Sequence, residues 1–222
     1  MTWPDDSDLF PLMRRKLFTA VVGDILDELG LLHQFLPREI RPLRDDMIVA
    51  GRAMPVLEKD LDEGQAASKP FGKMLQALDD LKRDEVYLAV GASPAYALWG
   101  ELMSARAIRL GAAGAVLLGC SRDTRAILAL NFPTFCMCCY APDQLRRGQV
   151  VDFRLPVEIG RARIAPGDII FGDVDGVLAI PQAAEREVLA RALEKVAKEN
   201  QVRTAIERGM SAAEALEKFG VL

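Results

Sequence analysis

The sequence predicts one α/β or α+β domain, and three observations carry that expectation. The chain has 222 residues, enough for one substantial core, and no linker or low-complexity stretch divides it. Half of the residues are hydrophobic but only 6% are aromatic, so aliphatic side chains carry the apolar content, which suits layered strands and helices. The central residues 85–118 run through strand, helix and strand patterns with glycines at the joins, and parallel pairing is the default for such a unit.

The elements follow in order. Residues 9–32 place Phe10, Met13, Leu17, Val21, Ile25 and Leu29 at mixed three and four spacings, which predicts one or two amphipathic helices ending at Gly30. From Ile40 the pattern shortens to Met47–Gly51 and Arg52–Val56, two strands with a turn or bulge at Gly51. Lys59–Ser68 reads as a charged loop and Phe71–Leu81 as a short helix. Glu85–Val90 is a strand, Gly91–Gly100 a connection, Glu101–Leu110 a helix closed by Gly111, and Ala113–Leu118 a second strand. A helix over Thr124–Leu130 and a buried, cysteine-bearing strand after Pro133 come next. Residues 150–180 are β-rich, with turns at Ala165–Asp168 and Gly172–Gly176, and Gln182–Lys218 is helical with an interruption at Gly209. The expected division is an N-terminal helical segment at about 9–32, a β-rich core at about 40–181 and a C-terminal helical segment at about 182–222.

Charge and composition exclude several classes. With 28 basic against 32 acidic residues and no basic aromatic cluster, direct nucleic-acid binding is not expected. The acidic N-terminus and the lack of a run of about 20 apolar residues argue for a soluble cytoplasmic protein without membrane contact. Cys120, Cys136, Cys138 and Cys139 read as small apolar side chains of a reduced interior, and with His33 the only histidine no zinc site is expected. A P-loop, a spaced-glycine dinucleotide fingerprint, a Gly-x-Ser-x-Gly elbow and a His-Glu-x-x-His motif are all missing. Carboxylates, an arginine and backbone amides remain as the tools for chemistry.

Two segments offer them together. In Trp99-Gly100-Glu101-Leu102-Met103-Ser104 the glycine turns the chain into a helix whose first amides have no partner within the helix, so they can bind a carboxylate. Taken alone, Gly100 reads more simply as a turn and Glu101 as a first-turn acid balancing the helix dipole. In Gly119-Cys120-Ser121-Arg122-Asp123 a guanidinium and a carboxylate follow an apolar strand. Arg122 suits an oxo-acid and Asp123 is a hard oxygen donor for Mg²⁺ or Mn²⁺, although Asp123 also fits a helix cap. Asp173 and Asp175 read as turn residues, and Lys59, Lys69 and Lys73 lie in polar segments unsuited to Schiff-base chemistry.

These motifs in their order, continued through Pro133-Thr134-Phe135, Pro166-Gly167-Asp168 and Asp173-Val174-Asp175-Gly176-Val177, resemble the RraA-like family over most of the chain. Its members include 4-hydroxy-4-methyl-2-oxoglutarate aldolases and a protein regulator of ribonuclease E. The resemblance implies a compact swivelling β/β/α single domain, here with N- and C-terminal helical segments, in homotrimers or homohexamers with active sites between subunits. It implies a class II, metal-dependent pyruvate aldolase with oxaloacetate decarboxylase side activity. In that reading the amides of Gly100, Glu101, Leu102 and Met103 hold the substrate carboxylate, Arg122 binds the oxo-acid and Asp123 ligates Mg²⁺ or Mn²⁺. Glu101 falls near the metal's water shell, and Glu199 matches a glutamate lent to a neighbouring subunit's site. The stretch Gly91-Ala92-Ser93-Pro94-Ala95-Tyr96 departs from the family pattern, and Pro94 has no amide proton to offer, so it bears on substrate choice. The long C-terminal helical segment favours the aldolases over the alternative, a non-catalytic regulator of ribonuclease activity acting by protein binding.

Overall fold

A computed structural model describes residues 5–62 and 71–220. The N-terminal pattern resolves into two helices, α1 (Asp6–Lys16) and α2 (Thr19–Glu28), with Gly30 at a φ of 77° just beyond them. After β1 (Arg41–Pro42) comes one continuous strand, β2 (Val49–Asp60), where the sequence suggested two. Gly51 is not a turn. A Cβ there would lie 2.4 Å from the Asp84 carbonyl oxygen and 2.7 Å from the Ala113 Cβ, so the glycine permits close approach of neighbouring backbone. Lys59 is strand rather than loop, because Lys59 and Asp60 pair with Gln149 and Gly148 of an antiparallel neighbour. The rest of the expected loop, from residue 63, and Lys69 beyond it lie outside the described residues.

The chain continues through α3 (Gly72–Asp79), β3 (Glu85–Val90), β4 (Ala97–Trp99), α4 (Glu101–Leu110), β5 (Gly114–Ser121), α5 (Thr124–Leu130) and β6 (Thr134–Cys139). It then forms a 3-10 turn at Gln144–Arg146, strands β7 (Gly148–Phe153), β8 (Val157–Ile159), β9 (Ala162–Ile164), β10 (Ile169–Asp173) and β11 (Gly176–Ile180), and helices α6 (Glu185–Glu207) and α7 (Ala212–Phe219). The main sheet runs β1-β6-β5-β3-β2-β10-β11, with β4 added beside β5 and β7 beside β2. Residues 34–36 bond to the β11 edge and β1 pairs with β6 a few residues later, so this segment nearly closes the sheet into a barrel.

Alternation along β3 explains why the central strands read as unbroken apolar runs. Val86, Leu88 and Val90 join Val116, Phe135, Ile159 and Ile170 in the interior, whereas Tyr87 and Ala89 face Trp99, Ala107 and Ile127 beneath α3, α4 and α5. A third cluster seats α1, α2 and α6 on β2, β10 and β11. Burial covers only the first half of β6: Met137 is 38% exposed and Cys139 lies on the surface.

The cysteines also differ from expectation. Cys120 and Cys138 form a disulfide, while buried Cys136 and exposed Cys139 are free thiols. The cause is register: parallel β5 and β6 set Cys120 opposite Cys138 with their Cα atoms 4.5 Å apart, within bridging distance. No described helix is long and apolar enough to cross a membrane.

Candidate active site

A short strand that the sequence did not reveal brings the two candidate motifs together. β4 lies parallel to β5, pairing Ala97 with Cys120 and Trp99 with Ser121, and the Arg122 amide donates to the Trp99 carbonyl at 2.9 Å. Both strands end at the same level, so the start of α4 and the Arg122–Asp123 turn stand side by side. Trp99 anchors this end of the sheet. Its indole donates to Ser104 Oγ at 2.7 Å, Ser104 Oγ donates to the Gly100 carbonyl at 3.0 Å, and the ring packs between Tyr87 and Phe132.

Gly100 is required for contact rather than for its dihedrals, which are extended. A Cβ at this position would sit 2.7 Å from Asp123 Oδ2, so only glycine lets that carboxylate rest against the start of α4. Asp123 Oδ2 there accepts a 3.3 Å hydrogen bond from the Glu101 amide. Asp123 occupies the N-cap position of α5 but makes no side-chain capping bond, and its φ of 57° lies in the left-handed region. Its carboxylate is thus directed to α4 and not to its own helix.

Arg122 Nη1 lies 2.9 Å from Asp143 Oδ2, and its Nε is 3.7 Å from Asp123 Oδ2. Asp143 precedes the 3-10 turn, and its carboxylate accepts from the Leu145 amide at 2.6 Å. Sequence reading missed Asp143. Pro142-Asp143 marks a turn, but nothing local says that the turn faces Arg122. Arg122, Asp123, Asp143, Gly100, Leu102 and Met103 border a cavity of about 420 Å³. Glu101 flanks an adjoining hollow on the other side of Asp123.

Beneath the cavity, the buried Glu58 accepts a hydrogen bond from the Gln144 side-chain amide, and Gln144 itself lines the cavity. Burial raises the Glu58 carboxyl to about 8, Gln144 opposes the shift, and the nearby Asp60 adds to it. Glu58 was also missed, because Val56-Leu57-Glu58-Lys59 looks locally like the end of an exposed strand.

Other expected participants lie elsewhere. Glu199 sits on α6, which packs on α2, and does not border the cavity. Residues 91–96 do not border it either: Ser93 and Tyr96 bond instead to Asp60, each at 3.0 Å. Asp173 accepts from the amide and hydroxyl of Thr19 and from the Asp175 amide, so it joins a turn to the start of α2. Among the described residues, no group of three or more His, Cys, Asp or Glu side chains forms a ready metal-ligand set.

A family model described as RraA-like, Aldolase/RraA, matches residues 19–179. The chain belongs to the RraA-like family. Among its RraA-like relatives, a protein of Halalkalibacterium halodurans named "Putative 4-hydroxy-4-methyl-2-oxoglutarate aldolase" is 34% identical over 92% of this chain and 92% of its own length. Protein DlpA of Legionella pneumophila is 28% identical over 96% of this chain, which spans only 35% of that protein. The crystal structure of Streptomyces coelicolor RraAS2, described as an unusual member of the RNase ES inhibitor RraA family, superposes with a TM-score of 0.80 at 21% identity. It covers 91% of this chain and 100% of its own, and it shares the RraA-like fold.

Proposed function

We propose that this RraA-like protein is a divalent-metal-dependent aldolase that cleaves a 4-hydroxy-2-oxo-acid to pyruvate and a second carbonyl compound. The supporting observation is the pairing of β4 with β5, which sets the amide end of α4 against Arg122 and Asp123 at one cavity. The name of the Halalkalibacterium relative points the same way.

A single half-exposed carboxylate fits Mg²⁺ or Mn²⁺, because such ions keep several waters and need only one or two protein carboxylates besides the substrate. The Gly100 cradle holds that carboxylate at the cavity edge. When bound at Asp123, the ion supplies Lewis-acid polarisation of the 2-oxo group. The chain's own groups do the rest. Arg122 offsets negative charge on the oxo-acid, and the amides of Leu102 and Met103 receive the substrate carboxylate beside the Glu101 amide that Asp123 occupies.

Cleavage removes the 4-hydroxyl proton, turns C4–O into a carbonyl and passes the C3–C4 electron pair into the pyruvate enolate, which then takes a proton at C3. Loss of CO₂ from oxaloacetate yields the same enolate, so oxaloacetate decarboxylation is the expected side activity. The base in this reading is a metal-bound water or Glu199 of the partner subunit, in a homotrimer or homohexamer whose sites lie between copies. Glu101 would hold a water of the bound ion.

The test is pyruvate release from 4-hydroxy-4-methyl-2-oxoglutarate, related 4-hydroxy-2-oxo-acids and oxaloacetate, with Mg²⁺ or Mn²⁺ and with chelator. Metal-dependent turnover that Arg122→Ala weakens in both KM and kcat supports the proposal. Absence of any turnover, together with capture of a ribonuclease of the RNase E type, would replace it by the regulator reading.

A further inference from the structure

Resting on the aldolase reading, we infer that the cavity selects 4-hydroxy-2-oxo-acids whose C4 substituent is apolar, a branched aliphatic or aromatic group rather than a second carboxylate. The walls beyond Arg122 and Asp123 are the side chains of Phe71, Met74 and Leu75 at α3 and of Leu102 and Met103 on α4. Apolar surface of this kind gains from covering a hydrocarbon group and gives a carboxylate nothing in exchange for its lost water.

The charges of the cavity point the same way. Among the described residues of this chain it has two lining cations: Arg122, which pairs with Asp143 at 2.9 Å and is assigned to the oxo-acid end, and Arg106, whose Nε pairs with Asp79 at 2.8 Å. Asp123 adds a third lining carboxylate. A monocarboxylate substrate uses Arg122 for its oxo-acid end, and its far end then meets hydrocarbon. A dicarboxylate would place its second charge among Met74, Leu75 and Met103, where the described residues of this chain offer only the Asp79-paired Arg106. At about 420 Å³ the cavity is large enough for a side chain beyond the pyruvate unit.

The experiment compares kcat/KM for 4-hydroxy-2-oxo-acids carrying phenyl or butyl at C4 with that for 4-hydroxy-4-methyl-2-oxoglutarate, using the full-length protein and Mg²⁺. The apolar substrates are expected to lead by about 10-fold or more. Leu75 and Leu102 are 49% and 79% exposed, so Leu75→Arg and Leu102→Arg are tolerated by the fold and are expected to narrow or reverse that ratio. Calorimetry with the uncleavable acids 2-oxooctanoate and 2-oxoadipate gives a readout independent of turnover, with tighter binding of the octanoate expected.

Exchange of the pyruvate methyl protons in D₂O separates the two levels of the argument. Metal-dependent exchange combined with preference for the dicarboxylates overturns the apolar selection and leaves the aldolase standing. Loss of exchange and of all turnover removes the aldolase and the selection with it.

Discussion

Asp123 holds a left-handed backbone conformation that costs most L-residues about 1–2 kcal/mol. Its side chain makes no capping bond to its own helix α5 and accepts only a 3.3 Å hydrogen bond from the first amide of α4. Asp123→Gly is therefore expected to leave stability unchanged or to raise it by up to about 1 kcal/mol, while removing metal-supported turnover. Denaturant unfolding and the pyruvate assay check the two halves, and a clear loss of stability would return Asp123 to a structural role. Glu58 calls for a different measurement. Its carboxyl is raised to about 8 in the folded protein, so between about 4.5 and 8 the folded state holds a proton that the unfolded state releases. Stability then falls as pH rises through that window, by up to about 1.4 kcal/mol per unit. Glu58→Gln is expected to flatten the slope, and identical pH profiles for both proteins would contradict the assignment.

Among the elements, β4 has the largest consequence relative to its length. Its three residues carry no alternating pattern long enough to read, yet they put Gly100 beside Arg122. The neighbouring β5–β6 pair is cross-linked at Cys120 and Cys138, 18 residues apart in sequence. Thiol titration of the unreduced, denatured chain is expected to find only the two thiols of Cys136 and Cys139, and reduction to lower stability by about 3 kcal/mol. Four reactive thiols before reduction would show that the bridge is absent in solution. At the other side of the molecule, Phe18 at the N-cap of α2 makes no side-chain cap, and Asp173 at the end of β10 takes over that role across 154 residues. Asp173→Ala is expected to cost about 1–3 kcal/mol in denaturant unfolding, because it leaves Thr19 donors buried without a partner.

At the scale of the whole molecule, Arg52 on β2 joins both ends of the chain, bonding to Asp6 of α1 and Glu185 of α6. Glu199 stands on that same α6, away from the cavity of its own chain. If it serves the partner subunit, Asp123→Ala and Glu199→Ala proteins are each inactive, and mixed oligomers of the two regain about a quarter of wild-type activity per site. No recovery on mixing, or full activity in Glu199→Ala alone, would remove Glu199 from the site. Several features were legible in the sequence because they depend on neighbours along the chain: the central strand–helix–strand unit, α5 to the residue, the Gly111 and Gly209 breaks, and the place of Arg122 and Asp123 on the turn after an apolar strand. Gly51, the extension of β2 to Asp60, the Cys120–Cys138 bridge, the buried Glu58 and the Asp143 partner of Arg122 were not. Each depends on which strand or turn lies alongside, and pairing register and burial are set by contacts between distant residues that no local pattern encodes. The sequence by itself determined an α/β domain and a guanidinium, a carboxylate and helix amides as its candidate tools. Only the tertiary structure decided that Gly100 and Asp123 share one cradle, because a missing side chain becomes space only when a distant carboxylate comes to fill it.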